Sequence, residues 1–186
     1  AKDLTAKATM LEDAWSPDAQ DFPKTLIDGT RYTTVDAAVN AVSDALFDIV
    51  TLKNARLGIP LGLMPGCPSG EAVCPQLAEH PWSGLGIAAM QSQLEGIKQV
   101  FFGAADSHAQ AFGFDDYLNE EGAPDNADMI NRLFDMSFGW IKQVQGKSSL
   151  QEQISAVDTA KCKATTLDNV LEPLCGLFQD IRAIDT

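Results

Sequence analysis

No apolar run in this sequence approaches the roughly 20 residues needed to cross a bilayer. The most apolar stretches, near residues 87–89 and 100–102, are short and interrupted, so a water-soluble chain is expected. Positive charge is scarce too. Thirteen Lys and Arg stand against 26 Asp and Glu, a formal net charge of -13. A field of that sign repels phosphate backbones and anionic lipid surfaces, which argues against nucleic-acid and membrane-surface binding. It permits cation binding without demonstrating it, because an acidic surface commonly serves solubility alone. Two-residue alternation of apolar and polar positions is missing, so no sheet is expected. There is no Gly-x-Ser-x-Gly elbow and no Gly-rich phosphate loop, which leaves nucleophilic and nucleotide chemistry without a motif. The sequence opens at Ala1 with neither Met nor a charged-then-apolar leader, so an export signal would have been removed or would lie outside it.

What is present suits a packed helical protein. Of 186 residues, 45% are hydrophobic, enough for a core, and the length suggests a single domain over residues 1–186. Leu4, Ala8, Leu11 and Trp15 recur at spacings of three and four, predicting a helix over 1–15 with one apolar face. Ser16-Pro17 ends it. Thr33 or Thr34 caps a second helix, expected to run to about Leu57 along Val35, Val39, Val42, Leu46, Ile49 and Val50. Residues 58–82 hold five prolines, Pro60, Pro65, Pro68, Pro75 and Pro81, and read as one long irregular loop. Ser83 should then cap a helix whose buried stripe is Ile87, Met90, Leu94, Ile97 and Phe101, with Gly103 at its end. Residues 114–121 read as a short helix. A strong helix begins at Pro124 or Asp125 and presents Met129, Leu133, Met136, Trp140 and Val144. Ser148 with Gln151 resembles a capping box, opening helical spacing from Ile154 through Leu171, Leu174, Phe178 and Ile181, with breaks allowed near Asp158 and at Thr165-Thr166. The expectation is all-α: an up-and-down bundle of four to five long helices with one long Pro/Gly/Cys loop. Trp15, Trp82 and Trp140 are expected as core or half-interface anchors.

Four cysteines carry the compartment argument: Cys67, Cys74, Cys162 and Cys175. Cys67 and Cys74 bracket a Pro/Gly-rich loop, which suits a disulfide in an oxidising compartment better than zinc, whose sites want tighter spacing and nearby His. Cys162 and Cys175 are thirteen positions apart. On one unbroken helix they would be about 20 Å apart, beyond the roughly 7 Å a disulfide allows between Cα atoms. Either the helix breaks, or each pairs elsewhere or stays reduced. Cys67 with Cys74 is the preferred pairing.

Three stretches together resemble the imelysin-like family. Leu11-Glu12-Asp13-Ala14-Trp15 followed by Phe22 is similar to that family's tryptophan-bearing helix. Lys53-Asn54-Ala55-Arg56-Leu57-Gly58-Ile59-Pro60-Leu61-Gly62, then Ala78-Glu79-His80-Pro81-Trp82-Ser83 after a variable loop, resembles its Pro-Leu-Gly, Glu and aromatic-Ser. Leu94-Glu95-Gly96-Ile97-Lys98-Gln99-Val100-Phe101-Phe102-Gly103 resembles its leucine/glycine helix ending in aromatic-Gly. The resemblance covers residues 4–184 and corresponds to the C-terminal half of the family's two related helical bundles. It implies export to the periplasm or the outer membrane, often with a lipoprotein anchor, which would lie outside this chain. It also implies a link to iron uptake and a founding insulin-cleaving metalloproteinase.

The family's Gly-x-His-x-x-Glu metal motif belongs to the N-terminal half, and neither His80 nor His108 has Glu three residues on. Iron or zinc would then be held mainly by that absent half, the implied partner of this chain. Glu79 matches a family Glu. It reads either as a carboxylate facing the groove between halves or as one that stabilises a helix start. His80 beside it could titrate near neutrality or bind metal, though a lone loop histidine commonly does neither. His108 lies near Asp106, Asp115 and Asp116, a potential iron or zinc set of irregular spacing that reads equally as a solvated turn. Glu120, Glu121, Asp125 and Asp128 read as dipole partners of a helix start. Three functions compete: a non-catalytic binding module tied to iron uptake, a metallopeptidase, and a structural domain docking a partner through a face bearing Phe138 and Trp140.

Overall fold

A computed structural model describes residues 2–68, 71–80, 82–104 and 111–185. Among them there is no strand, and the all-helical expectation holds. The chain divides into two compact units, Ala1–Ala45 and Leu46–Thr186.

The first unit holds α1 (Lys2–Trp15), α2 (Phe22–Ile27) and α3 (Val35–Leu46). Asp21 opens α2 from the left-handed region (φ 47°), its carboxylate accepting the Lys24 N–H. Thr34, one of the two expected caps, accepts from the Ala37 N–H at 3.1 Å and starts α3. Trp15 meets Phe22 edge-on with ring centroids 5.2 Å apart, and the Arg31 guanidinium lies 5.2 Å over the Phe22 ring. No described side chain of this unit is buried. The expected apolar face of α1 exists as a stripe, yet Leu4 is 73% exposed, Leu11 65% and Trp15 54%. Of the two expected places for Trp15, core or half-interface, its exposure excludes the core.

The second unit begins with a departure from expectation. The helix predicted to run to Leu57 stops at Leu46, although no Gly or Pro stands there. It restarts as α4 (Ile49–Thr51), which passes into a π-helical segment, Leu52–Gly58. Asp48 sits in the gap, held from α5 by Gln93, whose Nε2 donates to its carboxylate at 2.8 Å. The wider turn shows in the Ile59 N–H, which donates to Asn54 O at 2.8 Å, five residues back. The remaining helices are α5 (Gly86–Phe102), α6 (Phe114–Glu120), α7 (Pro124–Val144), α8 (Leu150–Ser155), α9 (Thr159–Ala164) and α10 (Pro173–Ile184).

Three boundaries shift from the sequence reading. Ser83 does not cap α5. It forms the turn before the helix, its Oγ accepting the Leu85 N–H at 3.3 Å. The capping box lies one residue on, at Ser149 and Glu152. The terminal apolar repeat is three helices, broken near Asp158 and again from Thr165 to Glu172.

The core of this unit is continuous. Leu52, Leu57 and Leu61 from the π-helical segment and its exit meet Met90, Leu94, Ile97 and Phe101 of α5. Phe134, Ile141 and Val144 of α7, Leu150 and Ile154 of α8, and Leu174, Leu177, Phe178 and Ile181 of α10 complete it. Phe101, Phe102 and Phe134 form a triad with centroids 5.1 to 6.4 Å apart. The tightest helix pair is α7 with α10. Phe138 and Trp140, the face expected from sequence to dock a partner, are partly buried and pack against the core. Met129 and Met136 of the predicted stripe stay partly in water, at 45% and 38% exposure.

Candidate functional site

The loop after Gly58 is fixed before it reaches its polar residues. Leu61 is buried, and the Cys74 N–H donates to Pro60 O at 2.7 Å. Gly62 takes a left-handed φ of 69°, and a Cβ there would strike the Ala72 carbonyl, so the two arms of the loop cross in contact only because this residue is glycine. Cys67 and Cys74 are disulfide-bonded, as preferred from sequence, with Cα atoms 5.7 Å apart. Cys162 and Cys175 form a second disulfide, Cα atoms 5.3 Å apart. The broken helix between α9 and α10 makes it possible. Two disulfides fit an oxidising compartment.

From Cys74 a short 3₁₀ turn (Pro75–Leu77) and buried Ala78 deliver Glu79 to the start of α5. Gly86, first residue of α5, leaves room for this: a Cβ there would lie 2.9 Å from Glu79 O. The Glu79 carboxylate then meets the π-helical segment. Its Oε2 lies 2.9 Å from Arg56 Nε, with side-chain exposures of 39% and 21%. The N–H is not aimed at that oxygen, since Arg56 Nε makes no hydrogen bond, so the contact is ionic. His80 Nε2 is 4.0 Å from the same oxygen. His80 sits in the left-handed region at φ 56°, unusual for a non-glycine residue. Its carbonyl accepts the Gly84 N–H at 3.1 Å and so closes the turn that turns Trp82 outward. Trp82 is 99% exposed, not core, and exposed Leu77 and Leu85 lie on the same stretch. Asn54 Oδ1, two residues before Arg56, is buried without a partner.

Arg56 is the residue that sequence reasoning missed. It stood inside the Lys53-to-Gly62 motif, but nothing in a helical period of 3.6 predicts where a π-helical turn will aim a side chain. Asn54 shares that origin. Lys53, on the same segment, pairs with Asp185 after α10.

His108 and Asp106 lie outside the described residues. Asp115, once grouped with them, is at the start of α6, where burial and then neighbouring Asp116 push its carboxyl above the ordinary range. Asp125 and Asp128 line an open hollow with Asn131 and Arg132 at the start of α7.

A protein zinc or non-haem iron site takes at least three protein donors. Glu79 and His80 supply two, and Arg56 sets a fixed positive charge against the carboxylate. Among the described residues no three His, Cys, Asp or Glu converge. The described side chains do not by themselves fit such an ion.

The arrangement defines a helical-bundle protein in which a stapled loop carries polar side chains to the start of a long helix. The imelysin family model matches residues 1–172. This chain belongs to the imelysin family. No curated protein and no solved structure matches it significantly. No described helix is long and apolar enough to cross a membrane.

Proposed function

We propose that this chain is a non-catalytic module of an exported imelysin-type protein engaged in iron uptake. Its Glu79 face forms one wall of a groove completed by an N-terminal half or an equivalent chain. The observation that carries this reading is the Arg56–Glu79 contact beside left-handed His80. A half-exposed carboxylate held by a guanidinium, on a segment with a strained backbone and a π-helical turn, is prepared for a ligand rather than for stability alone. The pair lacks an aligned hydrogen bond, so stability alone offers little reason for the strain. The two disulfides support an extracytoplasmic setting. In this reading the second half supplies most of the metal donors, and the Glu79 face orients the bound species.

Iron titration calorimetry tests the assignment. The chain alone is expected to bind weakly, and a protein carrying the Gly-x-His-x-x-Glu half to bind tightly. Glu79→Gln should weaken the latter about tenfold, the loss of roughly 1.4 kcal/mol. Tight binding by the chain alone would place the site elsewhere. Chelator-sensitive cleavage of a denatured protein by the chain alone would favour the metallopeptidase alternative.

A partner-docking role is the second reading, and one observation favours it. Leu4, Leu11 and Trp15 of α1 and Val35 and Val39 of α3 are all exposed at helical spacing, a pattern found at interaction surfaces. Light scattering that finds a strict monomer, together with no binding of an apolar dye, would count against it.

A further inference from the structure

The seam between α7 and α10 contains a polar group that the proposed groove does not use. Asp180 of α10 is fully buried, at 0% exposure. Its Oδ2 accepts the Trp140 indole N–H from α7 at 2.9 Å. Its Oδ1 has no partner. Gly176, one turn earlier on α10, makes the contact possible, because a Cβ there would lie 2.9 Å from Trp140 Cε2 and 3.1 Å from Nε1. On α7, one turn before Trp140, Ser137 is also fully buried with an unpartnered hydroxyl.

Among the described residues no cation answers this carboxyl. On α7 the charged residues are Asp125, Asp128, Arg132, Asp135 and Lys142, and Asp135 is taken by Lys98 at 3.0 Å. On the π-helical segment Lys53 is taken by Asp185 and Arg56 by Glu79. Lys161 and Lys163 lie on α9, which the second disulfide ties to α10, and Lys161 is exposed beside Asp158. Arg182, on α10 itself, is exposed. None of them acts on Asp180. Burial pushes its carboxyl up to about 6, opposed only by the Trp140 N–H.

We propose that Asp180 and Trp140 make the α7–α10 seam a proton-sensitive joint, closed when the carboxyl is protonated and loosened when it ionises. In the neutral form the buried seam holds no net charge. In the ionised form one N–H must answer a whole charge in an apolar core, which is costly. The direction follows from linkage. Below the ordinary value of 3.8, folded and unfolded chains both hold the proton, and the contribution is flat. Between that value and about 6 the folded chain holds it more tightly, so stability falls as pH rises. Above about 6 the loss is complete.

The indole N–H resonance of Trp140, assigned with Trp140→Phe, reads the joint directly in the full chain. From pH 4 to 8 it should move through a single-proton transition near pH 6. Denaturant titrations should show the folded-to-unfolded ratio falling roughly ten- to one-hundred-fold over the same range, relative to Asp180→Asn. In Asp180→Asn the resonance should be flat, since a neutral amide oxygen still accepts from the indole. Trp140→Phe removes the one donor among the described residues that favours the ionised form, so its stability transition should move to higher pH. That arm decides the matter even if Asp180→Asn fails to fold. A wild-type resonance that does not move, superimposable wild-type and Asp180→Asn profiles, or an unshifted Trp140→Phe transition would each overturn the proposal.

Discussion

Gly58 has no side chain, and the packing around it leaves no room for one. A Cβ would lie 2.5 Å from Met64 Cγ, 2.9 Å from Phe178 Cε2 and 2.9 Å from Lys53 O. The carbonyl cannot retreat without opening the π-helical turn. Gly58→Ala should therefore destabilise the chain by roughly 1 to 3 kcal/mol, despite the better helix propensity of alanine. A shift in the urea midpoint checks this; an unchanged or higher midpoint would mean the segment relaxes freely. The sequence placed a helix end near Leu57, and the π-helical segment does end at Gly58. The sequence could not mark the close approach of Phe178, which comes from a helix over a hundred residues later. Glu79 was legible for a different reason, as a position in a motif. Its partner Arg56 was not, because the pairing depends on a turn of unusual width. Asp180 gave no signal at all: a lone Asp in an apolar repeat looks like the polar face of a helix.

The helices repeat this division between local and distant causes. Thr34, Gly103 and Pro124 mark helix ends through their own backbone chemistry, and each stands at or beside an observed end. The break at Phe47-Asp48 has no such marker. Gln93 holds Asp48 from another helix, and no periodicity along 33–57 contains that fact. The capping box moved by one residue because Ser148 and Ser149 are both suitable caps, and Glu152 Oε2 accepts from the Ser149 N–H at 2.9 Å. The Cys162–Cys175 bridge required the helix break that the spacing argument left open. It closes a loop of sequence separation 13, for which chain entropy gives about 3 kcal/mol. Replacing both cysteines with serine should cost about that much and loosen the α9–α10 connection. Thermal melts of the double variant against wild type test it; equal melting temperatures would show that α10 is held by its apolar contacts alone.

At the scale of the whole chain, the two units differ in how they are held. Leu46–Thr186 has a continuous core, whereas no described side chain in Ala1–Ala45 is buried. A chain of residues 46–186 should keep a single cooperative unfolding transition. A peptide of residues 1–45 should show little helix by circular dichroism, because short helices without packing are marginal in water. A strongly helical peptide, or a truncated chain that melts without cooperativity, would show that the division is wrong. The all-helical class and the long Pro/Gly/Cys loop were readable from sequence because both are local properties. The fate of the α1 stripe was not, because periodicity reports an apolar face but not what covers it. The bridge between Cys67 and Cys74 has one more outcome, for how the chain meets a protease. A protease that severed the backbone anywhere between Pro68 and Val73 would not release a fragment, because the bridge spans the cut. The nicked molecule would migrate as one band without reductant and as two with it.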